Sequence, residues 1–175
     1  MKSSRIAVAL SLAVLGAIGP AHAENPEDLT NDASLIAFLR DLAEATHQFN
    51  IGNGEPYLAL LSASEDLTLM GAGGGMEKGI SQIRPRIELI TERRRAAAGF
   101  EENRAVIDYV SISSSDSFAY TVQFERRQLS GGAASSELRA THVLRKEAGQ
   151  WKLLHRQADN LISVTIPGVP PAQRQ

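Results

Sequence analysis

The sequence predicts one α+β domain with three N-terminal helices packed on one face of an antiparallel sheet. Apolar residues recur every three or four positions up to about residue 97, and every second position after Gly99. The alternating part is cut into consecutive segments by short turn sequences, which favours hairpins over crossovers. Helices followed by a run of strands place all the helices on one face of the sheet.

With 175 residues, 43% of them apolar, the chain has the content of one ordinary domain. It contains no cysteine, which removes thiol nucleophiles, thiolate metal sites and iron-sulfur clusters. A net charge of −2 weighs against a nucleic-acid partner.

The N-terminus reads as an address. Lys2 and Arg5 precede an apolar run, Ile6–Gly19, and then Pro20 and the small-residue site Ala21-His22-Ala23. This is the pattern of a signal peptide over residues 1–23, cleaved after Ala23, and it implies a periplasmic or secreted protein. The run is shorter than the roughly 20 residues a spanning helix needs, so no membrane association is expected after cleavage.

Residues 24–33 are polar, and Asn31, Asp32 and Ser34 can cap a helix. Leu35, Phe38, Leu39, Leu42, Ala45 and Phe49 then form one helical stripe over about 34–49, ended by Gly52 and Gly54. Pro56 suits the first position of a short helix, PYLALLSA, with Tyr57, Leu60 and Leu61 on one face. A strand, Leu67–Met70, runs into Gly71–Gly75. That glycine run lacks the spacing of a phosphate-binding loop and reads as a connection. A third helix is expected over Met76–Ala97, kinked or restarted at Pro85, with Arg93, Arg94 and Arg95 as a solvated C-terminal turn.

Four strands follow: Ala105–Ile112, Phe118–Arg127, Glu137–Lys146 and Trp151–Thr165. If Ala148 and Gly149 form a two-residue turn, Lys146 pairs with Trp151, Leu144 with Leu153, His142 with His155, Ala140 with Gln157 and Leu138 with Asp159. The face carrying these residues is apolar near the turn and polar beyond it, and belongs under the helices. The opposite face has Arg139, Arg145, Lys152 and Arg156 and looks outward, with Ala158. Extending the register through Gly131-Gly132 puts Thr121, Gln123 and Glu125 inside and Tyr120, Val122 and Phe124 outside. With Val143 and Leu154, these last would form an apolar patch suited to a sheet-to-sheet homodimer. The domain is expected over residues 34–165, and the Pro-rich tail 166–175 is expected to be loose.

The stretches PYLALLSASEDLTLMGAGGG, SFAYTVQFER and above all R-x-T-H-V-x-R-K-x-x-G-x-W-K-x-x-H-R-x-x-D, Arg139 to Asp159, resemble the SnoaL-like branch of the nuclear transport factor 2-like superfamily. The resemblance covers about residues 34–162. It implies a curved sheet wrapped around a helix to form a cone with an internal pocket. Relatives of this string often read H-R-H-x-D, where this chain has Gln157 in place of the second histidine. The superfamily hosts many chemistries, so the fold does not name a function.

The candidate catalytic residues are His142, His155 and Asp159. The two histidines, as cross-strand neighbours, could be a general base and its partner, a metal pair completed by Glu125 or Asp159, or a hydrogen-bonded structural pair. Asp159 could be a base of raised pKa, or a strand-end carboxylate paired with Arg139 or Arg156. Candidate ligand contacts are Trp151, Gln157, Glu125 and Gln123, although a tryptophan next to a tight turn is more often a plug of the core than a ligand platform. No cofactor motif is present, and neither a cofactor nor a dedicated metal site is expected. Two functions remain: a pocket that binds a small apolar or carbonyl-containing molecule, and a cofactor-independent isomerase, lyase or cyclase with a His or Asp base.

Overall fold

The computed structural model describes residues 25–97, 104–128 and 134–161. The segments expected to be a signal peptide, a turn at Gly131-Gly132 and a loose Pro-rich tail lie outside the described residues.

The polar segment holds one turn of helix, α1 (Pro26–Leu29), with Pro26 in its first turn, where a missing amide costs little. Helix α2 (Ala33–Asn50) starts where Asp32 accepts hydrogen bonds from the amides of Ser34 and Leu35, at 2.9 and 3.0 Å. Its buried stripe, Leu35, Phe38, Leu39, Leu42 and Ala45, is the one the spacing predicts. Helix α3 (Glu55–Leu60) follows, with Tyr57 and Leu58 buried.

The third expected helix divides. Strand β1 (Thr68–Met70) turns back through Gly74 and Gly75, both at positive φ, into strand β2 (Met76–Lys78). Helix α4 (Ile80–Ala96) begins only after Gly79, and Pro85 lies inside it without interrupting it. The long strands are β3 (Arg104–Ser114), β4 (Phe118–Gln128), β5 (Ala134–Glu147) and β6 (Gln150–Asn160). Their sheet order is β2-β1-β6-β5-β4-β3. The sheet is open, curled and mixed rather than purely antiparallel, because β1 pairs parallel to β6.

Leu35, Leu39 and Leu42 of α2 and Ile83 and Ile87 of α4 pack with Leu144, Trp151 and Leu153 of the sheet to form the core. Trp151 lies beside the β5–β6 turn, and its Nε1 donates to Ser34 Oγ at 3.0 Å. Ser34 Oγ in turn donates to Asp32 Oδ1 at 2.6 Å, so the cap of α2 is tied to this end of the sheet. The indole is a core plug.

The β5–β6 turn is the two-residue turn expected, with Ala148 and Gly149 both at positive φ. Lys146 pairs with Trp151 and Leu144 with Leu153, as the alternation predicts. Beyond them the register shifts: Val143 faces His155, His142 faces Arg156, Thr141 faces Gln157 and Arg139 faces Asp159. Leu154 is the extra residue of a β-bulge, and past it every side chain of β6 changes face. Strand β4 keeps the expected phase, with Thr121, Gln123 and Glu125 inside and Tyr120 outside.

Gly54 is where α3 meets α4. A Cβ there would stand 2.4 Å from Thr91 Oγ1, whereas at Gly73 it would meet nothing within 4 Å. Gly54→Ala is therefore expected to cost about 1–3 kcal/mol in urea unfolding, and Gly73→Ala to stay within about 0.5 kcal/mol of the parent.

Candidate functional site

Alternation along β4 lines Thr121, Gln123 and Glu125 up on the concave face, and neighbouring side chains on one strand face can reach each other. Thr121 Oγ1 donates to Gln123 Oε1 at 2.8 Å, and Gln123 Nε2 donates to Glu125 Oε1 at 3.1 Å. Arg156, brought inside by the bulge, donates from Nη2 to Glu125 Oε2 at 2.6 Å. Glu125 is only 8% exposed, so this is a buried ion pair at the end of a buried polar ladder. His142 on β5 approaches from behind, with Nε2 3.4 Å from Glu125 Oε1. That contact falls outside hydrogen-bond geometry, and neither ring nitrogen has a hydrogen-bond partner among the described residues.

The electrostatics follow from this packing. Burial pushes the Glu125 carboxyl up, but the Arg156 charge and the His142 contact outweigh it and hold the group well below the usual carboxylate range. Arg156 stays charged because Glu125 offsets its own burial. His142 is pushed below its ordinary value by burial, with the Glu125 contact only partly opposing, so the ring is neutral.

In front of this pair a cavity of about 380 Å³ opens between the helices and the sheet. Phe49, Leu69, Ile87, Ile90, Ile107 and Leu138 supply apolar wall. Glu125, Arg156, Arg127, Ser136, Arg94 and Tyr57 supply polar groups. Phe49 and Tyr57 stack with ring centroids 5.3 Å apart. Arg94 lies over Phe49, 4.0 Å from its centroid, and donates from Nη1 to the Phe49 carbonyl at 3.0 Å. Burial pushes the Tyr57 hydroxyl up to about 12, keeping it a neutral donor.

Of the residues picked from sequence, Glu125 lines the cavity, and Gln123 and His142 are buried directly behind it. Trp151 does not line the cavity. His155, Gln157 and Asp159, expected inside, are on the opposite face because the bulge reverses β6. His155 Nδ1 is 2.7 Å from Thr68 Oγ1, Gln157 is exposed, and Asp159 accepts from Arg139 Nε at 2.6 Å. The two histidines therefore cannot share a proton or a metal. Among the described residues, no group of three His, Asp or Glu could hold a metal ion.

Sequence reasoning missed Arg94 and Arg156. Arg94 continues the stripe Ile83-Ile87-Ile90 at helical spacing, a signal hidden by its two arginine neighbours. For Arg156 the visible sign is the adjacent pair Leu153-Leu154, which breaks the alternation where the extra residue falls.

Comparison with family models matches residues 37–162 to the SnoaL-like domain. The chain belongs to the SnoaL-like family. A comparison with curated protein sequences finds no match. Among solved structures, the SnoaL-like chain is similar to a cystatin-like domain of unknown function from Nostoc punctiforme, with 18% identity, 77% of this chain and 82% of that one covered, and a TM-score of 0.59. A proposed calcium/calmodulin-dependent protein kinase type II association domain from Thiobacillus denitrificans has 16% identity, 72% and 94% coverage, and a TM-score of 0.60. A proposed ketosteroid isomerase from Shewanella frigidimarina has 17% identity, 73% and 96% coverage, and a TM-score of 0.54. At these identities the likeness establishes the fold alone.

Removing one partner of the buried pair should be costly. Arg156→Met is expected to lose about 3–5 kcal/mol in urea unfolding, and the double variant Glu125→Leu/Arg156→Met to regain most of it. The buried histidine sets a pH dependence. The unfolded chain binds a proton at His142 below about pH 6.5 more readily than the fold does, so stability is present above that value and falls as pH drops. His155, also lowered by burial, adds to the same slope. Glu125 continues the trend below its ordinary 4.5. Melting temperature should fall from about pH 7 to pH 5, and His142→Gln should reduce that slope, leaving the part due to His155 and the steeper loss below about pH 4.5.

Proposed function

We propose that this SnoaL-like protein is exported and binds a small, largely apolar molecule with one polar end, without transforming it. The cavity carries the reading: Phe49, Leu69, Ile87, Ile90, Ile107 and Leu138 wall it beside charged and hydroxyl groups such as Arg94, Arg156 and Tyr57, the mixed lining of a ligand pocket. The side chains that proton abstraction would call on are badly placed for it. His142 is sealed in the core, 1% exposed, and His155 and Asp159 face away. Glu125 does reach the cavity, but its ion pair with Arg156 makes it a weak base. A cofactor-independent isomerase, lyase or cyclase is the second reading, supported by that one carboxylate and by the Tyr57 phenol as a donor for a developing enolate.

The basic n-region, apolar run and Ala-His-Ala site support a periplasmic or secreted address. Tyr120, 44% exposed on the outer sheet face with Val122, Phe124 and Val143 beside it, supports a homodimer through that face.

Native mass spectrometry of protein recovered from a bacterial periplasm tests the pocket. A small-molecule adduct is expected on the parent and absent from a folded Leu138→Trp variant, whose indole would fill the cavity. An adduct equally abundant in both would place the ligand elsewhere.

A further inference from the structure

The cavity has more positive than negative charge within reach. Arg86, Arg94, Arg126, Arg127 and Arg156 line it; Arg86, Arg126 and Arg156 are paired with Glu77, Asp108 and Glu125, and Arg127 is engaged as well. The Glu125 carboxylate is committed: Oε2 accepts from Arg156, and Oε1 accepts from Gln123. Arg156 and Glu125 therefore cancel each other. Arg94 is different, because among the described residues it has no carboxylate partner. It lies over the Phe49 ring and donates to the Phe49 carbonyl, and the end of α2 steadies the guanidinium without supplying a full counter-charge. Burial and the like charges of Arg127 and Arg156 bring its pKa down to about 10, which leaves it cationic at neutral pH. A partly buried cation without a carboxylate partner is a standing electrostatic cost that an incoming anion would relieve.

Tyr57 adds a second donor on the same side. Tyr57, buried and stacked on Phe49, lines the cavity and carries a phenolic donor. A cation and a neutral hydroxyl donor beside apolar wall match the two halves of a small organic acid: a carboxylate for the donors and a hydrocarbon body for Ile87, Ile90 and Leu138. Arginine suits a planar carboxylate particularly well, because its fork can donate two parallel hydrogen bonds.

We propose that the cavity selects a small apolar carboxylic acid, its carboxylate recognised by Arg94 with Tyr57, while the Glu125–Arg156 pair holds the neighbouring wall in place. This rests on the pocket reading above and names its ligand class. The Glu125 carboxylate does not repel such a ligand strongly, since Arg156 neutralises it at 2.6 Å.

The test is isothermal titration of the full mature chain with three probes of one shape: 3-phenylpropionate, 3-phenylpropanamide and 3-phenylpropylamine. The acid is expected to bind at least tenfold more tightly than the amide, the amine not measurably, and added salt should weaken the acid. Arg94→Gln keeps a donor for the Phe49 carbonyl and removes the charge. It should bind the acid at least tenfold more weakly and the amide unchanged, with its melting temperature confirming that it is folded. Equal binding of acid and amide, or an unchanged acid affinity in Arg94→Gln, would overturn the anion proposal and leave the pocket reading standing. If no probe binds and the native protein also lacks an adduct, the pocket reading fails, and the proposal with it.

Discussion

One extra residue in β6 decides what this domain holds in its interior. Without the bulge at Leu154, strict alternation would carry His155, Gln157 and Asp159 to the concave face and leave Arg156 in solvent. With it, Arg156 and Ala158 turn inward and the three polar residues turn out. A strand has a side-chain period of two, so a single inserted residue exchanges its two faces completely. The buried pair between Glu125 and Arg156, the polar ladder behind it and the position of the cavity all follow from that exchange.

The pair is also the most demanding part of the fold. Burying a carboxylate and a guanidinium is tolerated only where each finds the other and the remaining lone pairs are filled. Glu125 meets that condition through Arg156 and Gln123. His142 beside it does not, since both ring nitrogens lack hydrogen-bond partners among the described residues. Its neutral ring serves as packing behind the carboxylate, which accounts for the sensitivity to acid. Stability at this corner is thus coupled to protonation near neutral pH, while the opposite end is held by Trp151, Ser34 and the α2 cap, whose Asp32 carboxylate loses its contribution only as pH falls below its ordinary 3.8.

Much of the architecture was legible in the sequence. The α2 stripe, the α+β order, the two-residue turn at Ala148-Gly149 and the inward phase of Thr121, Gln123 and Glu125 all follow from periodicity and turn chemistry. What failed has specific physical causes. The Met76–Ala97 segment reads as one helix because a three-residue strand leaves no periodic signature, and the glycines that close its hairpin resemble a connection. The parallel pairing of β1 with β6 is a tertiary choice that no local pattern encodes. The candidate site was half legible: Glu125 and Gln123 lie on a strand whose alternation is unbroken, whereas Arg156 lies past a bulge and Arg94 within a run of arginines that reads as a solvated helix end. Each missed residue is a cation, and cations are assigned to the surface by default unless their partner is known.

The central claim is the reversal of β6, and the absence of cysteine from the chain makes it directly measurable. Single cysteines at positions 155, 157 and 158 can be introduced and their reaction with a thiol reagent timed in the folded protein. The bulged register predicts fast labelling of His155→Cys and Gln157→Cys and strong protection of Ala158→Cys, whose native side chain is buried. Protection at 155 and 157 with fast labelling at 158 would contradict the account, since it is what an unbroken alternation from the turn requires.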